Sequence, residues 1–506
     1  MTRVTGNNPP GRPELPPHAA AANALAAMRR PASKRGHHNT LAITAAVTVF
    51  FGHAMFELTG TALIFYVACA FMTAVCGYYA LSSLFRGEAN IGALIASQTM
   101  LWYALPFSYI GVFGYDNYVT MYPYLEIENA RSVSMVVFVS IFVYLIFEKF
   151  GRSVSVRDIS LEWRSCLPLV LPILLAQIYL MAAGDRGYAA VTKVYDADEP
   201  SLVHQFVVGF SLAIMPICSC TLAKILTAPR GRRSMLGVLF CLSAMGVEMM
   251  WWSVAGRRHM TIIVLISLVS FFMVYFHGEM NKRRIITVMA AGAILAPVMW
   301  FFWESYYVLR IATDITQGQE NLSFFDLERA RQLAIGTDTE NQFIENIVSR
   351  PFLLVTSLTV VRDTASGVLW GWNIVSQALL AIPSILFPGK LEFIGPVREN
   401  LWAALLGVPE KDWSNTILLE GYVDFGWAGF LIYTALLSAL LSIFFKASRR
   451  TGSAPIVAYT YFSICFSVLN VETGPNFIFV TLRSVLLIIL IGFVLTLFRA
   501  RPRCQV

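Results

Sequence analysis

The chain has 506 residues, 57% of them hydrophobic and 14% charged, with a mean hydropathy of +0.62 and a formal net charge of +7. A soluble chain carries about a quarter charged residues, so this composition excludes an ordinary soluble domain. Apolar runs recur along almost the whole length without the short alternating segments of a membrane β-barrel, which leaves an all-α polytopic membrane protein.

Residues 1–38 are rich in Pro and Ala, with Arg29, Arg30, Lys34 and Arg35 near their end. They hold too few large apolar residues to pack, and read as a disordered tail. The apolar stretch starts too late for a signal peptide and no small-residue cleavage site follows, so the first helix serves as the insertion signal. Runs of about 20 apolar residues fall at 40–57, 60–85, 91–112, 131–148, 166–183, 202–226, 234–252, 260–277, 285–308, 419–445, 453–470 and 478–498. The sequence thus predicts about 12 transmembrane helices with a large extracytoplasmic loop between the ninth and tenth. The organisation is a tail (1–38), an N-terminal bundle (39–308), a large loop (309–414), C-terminal transmembrane helices (415–498) and a short tail (499–506).

The connections alternate in charge. Arg86, "EKFGRSVSVRDISLEWR" (148–164), "APRGRR", "NKRR", "KASRR" and "RARPR" are basic, as is the N-terminal tail. "ELTG", "GYDNYVTMYPYLEIEN" (114–129), "GDRGYAAVTKVYDADEP", the large loop and "VETGPN" carry acids and aromatics. The positive-inside rule then makes both termini cytoplasmic and turns the large loop outward. The outward "GRRH" (256–259) opposes that bias. Its arginines either snorkel to lipid phosphates or form an anion site, because guanidinium pairs with phosphate oxygens in a bidentate way.

All cysteines except Cys504 lie in or beside apolar runs, so no disulfide framework is implied. Cys218 and Cys220 form a lone Cys-x-Cys without a clustered partner and read as packing. Gln177 and His204 read as hydrogen-bonding partners between helices. Glu248 is costly in a membrane unless satisfied, either by an arginine or by lining a cavity. In the large loop, 314–350 is polar and carries Arg329 and Arg331 as helix-surface charges. Residues 352–388 are mostly apolar, around Arg362 and Asp363, and suit a re-entrant or surface segment, or two further short spans. The tyrosines of 114–124 suit an interfacial belt or sugar stacking.

The stretch "NTILLEGYVDFGWAGF" (415–430) opens the tenth span with two acids and three glycines. Thr416, Glu420 and Asp424 are four apart and share a helix face. At a headgroup-level mouth, two such carboxylates repel and at least one is pushed toward neutrality, which suits a proton acceptor. Gly426 and Gly429 offer a flat patch for close approach.

That stretch resembles the segment after the large periplasmic loop of Wzy-type polymerases, the bacterial O-antigen and oligosaccharide repeat-unit polymerases. "IPSILFPGK" (382–390) resembles a signature in that loop, and "GRRHMTIIVLISLV" (256–269) resembles an external Gly-x-Arg opening a later helix. The motifs cover the C-terminal half and the topology covers the whole chain. The resemblance implies a bacterial inner-membrane glycosyltransferase joining undecaprenyl-diphosphate-linked oligosaccharides on the periplasmic face. A chain-length regulator and a flippase of the same pathway are the implied partners, besides membrane lipids.

Many members keep a histidine in the loop, but this chain has none after His277, which moves the base role to Glu420 or Asp424, or to His259. Arg257, Arg258, Arg362 and Arg398 are the candidates to stabilise the leaving diphosphate. His259, Asn415 and Tyr422 complete the substrate-binding set, and Asp363 is a weaker base candidate. No Asp-x-Asp stands in an outer loop, so the expectation is no metal and no cofactor; nothing points to nucleic acid. A ligase-like or other lipid-phosphosugar glycosyltransferase and a polysaccharide or small-molecule transporter are the alternatives. Transporter sites lie near the midplane at broken helices, whereas the polar outliers here gather at the outer edge.

Overall fold

The structure is a computed structural model that describes residues 62–85, 161–183, 202–229, 233–255, 259–275, 326–335, 360–383, 386–390, 401–407, 416–469 and 475–499, with scattered positions at 44–60, 88–89, 108, 154–155, 231, 286–316 and 393. The elements are α1 (Ala62–Phe85), α2 (Trp163–Ala182), α3 (Leu202–Ser211), α4 (Ile214–Thr227), α5 (Met235–Ala255), α6 (His259–Tyr275), α7 (Leu327–Ala334), α8 (Trp372–Leu380), α9 (Leu401–Leu406), α10 (Ile417–Phe425), α11 (Trp427–Arg450), α12 (Ala454–Leu469) and α13 (Pro475–Arg499). Five of the described helices are long and apolar enough to cross a membrane: α2, Val207–Thr227, α5, α11 and α13. The chain is a helical membrane protein.

Apart from helices, the described residues form one short antiparallel pairing, Glu88–Ala89 with Val154–Ser155. It joins two of the basic connections and so holds both on one side of the bundle. The tails, the runs at 91–112 and 131–148, and the tyrosines at 114–124 lie outside the described residues.

Helix α12 is the axis of the bundle. Tyr459, Phe462 and Phe466 are fully buried on one face, and Thr460, Tyr461 and Ile464 are buried on the others, the pattern of a helix surrounded by others rather than one with a single apolar stripe. It packs against α2, α4, α6, α11 and α13. Tyr459 donates its hydroxyl to the Gly209 carbonyl (3.0 Å), tying α12 to α3. Between α3 and α4 the predicted span 202–226 is interrupted at Leu212–Ala213.

Glu248 of α5 accepts from Gln177 Nε2 and Trp252 Nε1, both at 2.9 Å. The expected Gln177 link between helices is therefore present, and the acid is satisfied by an amide and an indole rather than by arginine. The side chain of His204 lies outside the described residues. Cys218 and Cys220 are buried free thiols inside the packing of α4. Arg331 of α7 lies 3.5 Å from Glu304, so this charge bridges to another helical segment instead of standing only on its own helix.

The tenth predicted span is corrected. Residues 419–445 do not form one helix: the chain turns at Gly426, with φ +59, and α10 ends there. Along a continuous helix, residues eight apart stand about 12 Å from each other. Here a Cβ added at Gly421 would meet the Gly429 carbonyl oxygen at 2.6 Å. Helix α10 therefore folds back on α11 as a hairpin. Gly429 provides the expected close approach, but its partner is Gly421, and Gly426 makes the turn.

Candidate functional site

Helix α8 explains why the hairpin exists. Its buried side chains are Asn373, Ser376 and Gln377, while Trp372 and Val375 face outward. Spaced i, i+3, i+4, the polar trio forms one face, turned inward against α10 and α13. This inversion suits a short helix with its apolar side toward lipid. Such a helix brings orphan amides at one end and orphan carbonyls at the other, and away from water each must find a partner.

Both ends are closed by charged side chains from elsewhere. At the N-terminus, Asp424 accepts the backbone N–H of Asn373 at Oδ1 and of Ile374 at Oδ2, each at 2.9 Å. Tyr433 donates its hydroxyl to the same Oδ2. At the C-terminus, Lys390 donates to the carbonyls of Leu380 (3.2 Å) and Ile382 (2.6 Å), and Arg483 to that of Ala381 (2.9 Å). An anion at the N-terminus and cations at the C-terminus both match the helix dipole. Arg483 is the ninth residue of α13 and Tyr433 the seventh of α11. At 1.5 Å per residue, the unit sits about 10 Å in from the end where those helices begin.

Glu420 lies one turn before Asp424, opposite Asn373. Its Oε2 accepts from Asn373 Nδ2 at 2.8 Å. Burial pushes the Glu420 carboxyl up to about 8; the Asn373 hydrogen bond works against that shift and the neighbouring Asp424 adds to it. Thr416 caps α10 by accepting the Leu419 N–H (3.0 Å). Thr416, Glu420 and Asp424 do share a face, but it is buried, at 4%, 1% and 0% exposed. The face expected at a headgroup-level mouth is thus closed inside the protein. The two acids also separate in role, since Asp424 is taken up by the end of α8 and Tyr433 whereas Glu420 is held by a single amide.

Above this layer, Tyr422 is half-buried. Burial raises its phenol, and the nearby Arg362 and Asp363 pull it down and up respectively. Arg362 pairs bidentately with Asp363 (2.7 and 3.1 Å), so this arginine reaches the site already partnered by the weaker base candidate. Arg257, Arg258, Arg398 and Asn415 lie outside the described residues; His259 begins α6, and its side chain is not among those described. Among the described residues, no group of three or more His, Cys, Asp or Glu is placed to hold a metal ion.

Sequence reasoning did not name Asn373, Tyr433, Lys390 or Arg483. Arg483 carried a signal, because an arginine inside an apolar run marks a functional or pairing position. Lys390 closes the quoted "IPSILFPGK". Asn373 and Tyr433 sit in ordinary apolar surroundings and gave none. Comparison with protein-family models, curated proteins and solved structures finds no match to this chain.

Proposed function

We propose that the protein polymerises undecaprenyl-diphosphate-linked oligosaccharide repeat units at the periplasmic face of a bacterial inner membrane. In this reading the chain crosses the membrane twelve times with both ends in the cytoplasm, and the α8–α10 unit belongs to the outer half. One observation carries the proposal. The two C-terminal segments with the polymerase-like pattern, 415–430 and 382–390, meet on the same short helix, one through Asp424 and the other through Lys390. Two segments that separate resemblances single out thus build a single structural unit, and Glu420 sits inside it.

Glu420 is the base of this reading. A carboxyl whose proton affinity lies near neutral pH is matched to accepting a proton from a sugar hydroxyl. The hydroxyl oxygen attacks the anomeric carbon of the growing chain, the C–O bond to the diphosphate breaks, and the proton passes to Glu420. Arg362, Arg257, Arg258 and Arg398 are the cations that stabilise the departing diphosphate. Asp424 positions α8, and through it Asn373.

The test is conversion of extracted lipid-linked repeat units into a ladder of longer glycans by purified protein in liposomes. Wild type makes the ladder; Glu420→Gln, Arg257→Ala and Arg258→Ala do not, although each accumulates in the membrane. Wild-type ladders from all three remove the site. A transporter reading draws on the interruption at Leu212–Ala213, a broken span of the kind that lines transport sites. Substrate counterflow in the same liposomes, without ladder formation, selects it.

A further inference from the structure

Among the described residues, Trp370 is the one non-glycine residue with a positive φ, +54. Bulky side chains are rare in that region because Cβ crowds the backbone. The conformation is imposed from both sides. Leu369 and Trp370 donate their N–H groups to the carbonyls of Val423 and Asp424 (3.0 and 2.8 Å). Gly371 follows at φ +90, packed so that an added Cβ would stand 3.0 Å from the Phe425 ring. A turn that only had to connect the loop to α8 would be built with less strain by glycine at 370. The chain instead holds an indole there, and that indole is 80% exposed. A costly conformation that turns a large aromatic outward gains nothing from core packing, and strain of this kind concentrates at ligand sites.

The backbone that carries the indole is tied to the same unit. Three residues after Trp370, Asn373 holds Glu420, and the backbone N–H of Trp370 is bound to the carbonyl of Asp424, the residue that caps the same helix. A pyranose ring has a flat face of C–H bonds that packs on an aromatic surface while its hydroxyls project from the edge.

Resting on the function proposed above, we infer that Trp370 is the stacking platform for a pyranose ring of the lipid-linked oligosaccharide, held outside the α8 end that Asp424 caps. The other use of an exposed tryptophan, anchoring at the membrane interface, needs only an apolar or amphipathic side chain and no ring stacking.

Four proteins separate the two: wild type and Trp370→Gly, Trp370→Phe and Trp370→Leu, purified into liposomes with lipid-linked repeat units extracted from producing cells. In Trp370→Gly the strain is relieved, so thermal stability does not fall, while KM rises about tenfold and kcat stays within about twofold. Phe behaves like wild type, and Leu like Gly. A leucine variant with wild-type KM, or a glycine variant with unchanged KM, overturns the proposal. If wild type makes no polymer, the function proposed above fails on its own, and saturation-transfer NMR with the oligosaccharide released from its lipid reads the platform directly. Transfer to the sugar-ring protons that disappears in the Gly and Leu variants supports the platform, and transfer of wild-type strength in both overturns it.

Discussion

Two glutamates of this protein are buried almost completely, yet their surroundings differ. Glu248 lies on α5 at 0% exposure, and both its oxygens are occupied, one by Gln177 and one by Trp252. Glu420, at 1%, has one oxygen held by Asn373 and a second acid one turn away. The first belongs to a helix of crossing length, one whose Leu236, Leu239 and Leu242 face outward, and sits on the side turned to α2; the second belongs to a nine-residue helix near one end of the bundle. Burial alone does not mark a working carboxyl. What distinguishes Glu420, the carboxyl proposed as the base, is a single hydrogen-bonded oxygen on an element that another element must hold in place.

The largest expected effect breaks this comparison if it fails. Glu420→Gln lowers polymer formation by at least about a hundredfold, the lower end of what a general base contributes, while Glu248→Gln stays within about twofold. Rates of ladder formation at matched protein levels check it. Equal losses in the two variants make both glutamates structural.

Stability reverses the order. Glu248→Ala leaves the Gln177 amide and the Trp252 indole N–H facing an apolar interior, at about 1–3 kcal/mol for each unsatisfied donor. Its melting temperature in detergent falls clearly, whereas Glu420→Gln keeps an oxygen for Asn373 and melts close to wild type. A Glu248→Ala protein as stable as wild type shows that water or another group takes over its role.

Asp424→Asn sharpens the other side. The amide retains one acceptor for the α8 end where the carboxylate offers two, and the charge matched to the helix dipole is lost, a change worth about 1 kcal/mol. The expected result is faster limited proteolysis within 360–390 with an intact α11–α13 bundle. Unchanged cleavage means that Lys390 and Arg483, with the Leu369 and Trp370 backbone bonds and the Asn373–Glu420 contact, hold α8 without the Asp424 charge.

How much of this was legible follows from what each feature depends on. The spans at 234–252, 260–277, 453–470 and 478–498 agree with α5, α6, α12 and α13 to within a few residues, because hydrocarbon demands a continuous apolar run and such runs are local. The hairpin at Gly426 was hidden from the same reading, since hydropathy records how apolar a run is and not where it reverses. The signal was present in Gly421 and Gly429, placed on either side of the turn. Asp424 is 51 residues from Asn373, and no periodicity links an acid to the end of a helix that far away. The polar face of α8 was obscured by its apolar neighbours Trp372 and Val375. Glu420 was legible as an acid in an unexpected place, but its amide partner was not.

The smallest effect tests that partner. Asn373 Nδ2 stabilises the charged form of Glu420, so Asn373→Ala removes a hydrogen bond that favours ionisation. The other groups around Glu420 are Asp424 and Tyr422 on its own helix, Tyr433 from α11, Arg362 and Asp363 beside Tyr422, and Arg483 of α13 at the far end of α8. Of these, only Tyr433 also loses the Asn373 side chain in the substitution. In the role of base proposed for it Glu420 acts deprotonated, so wild-type kcat/KM is expected to rise with pH through about 8, and in Asn373→Ala that limb moves to higher pH. The fold carries the same signature without turnover. Glu420 binds its proton more tightly when folded than when unfolded, so its stabilising contribution is full in acid and lost as pH rises through about 8. Melting temperature should therefore decline over that window in wild type and lose this component in Glu420→Gln. A limb that stays in place in Asn373→Ala, with kcat reduced uniformly at every pH, leaves Asn373 as packing for α8 and takes from Glu420 the one interaction that sets it apart from Glu248.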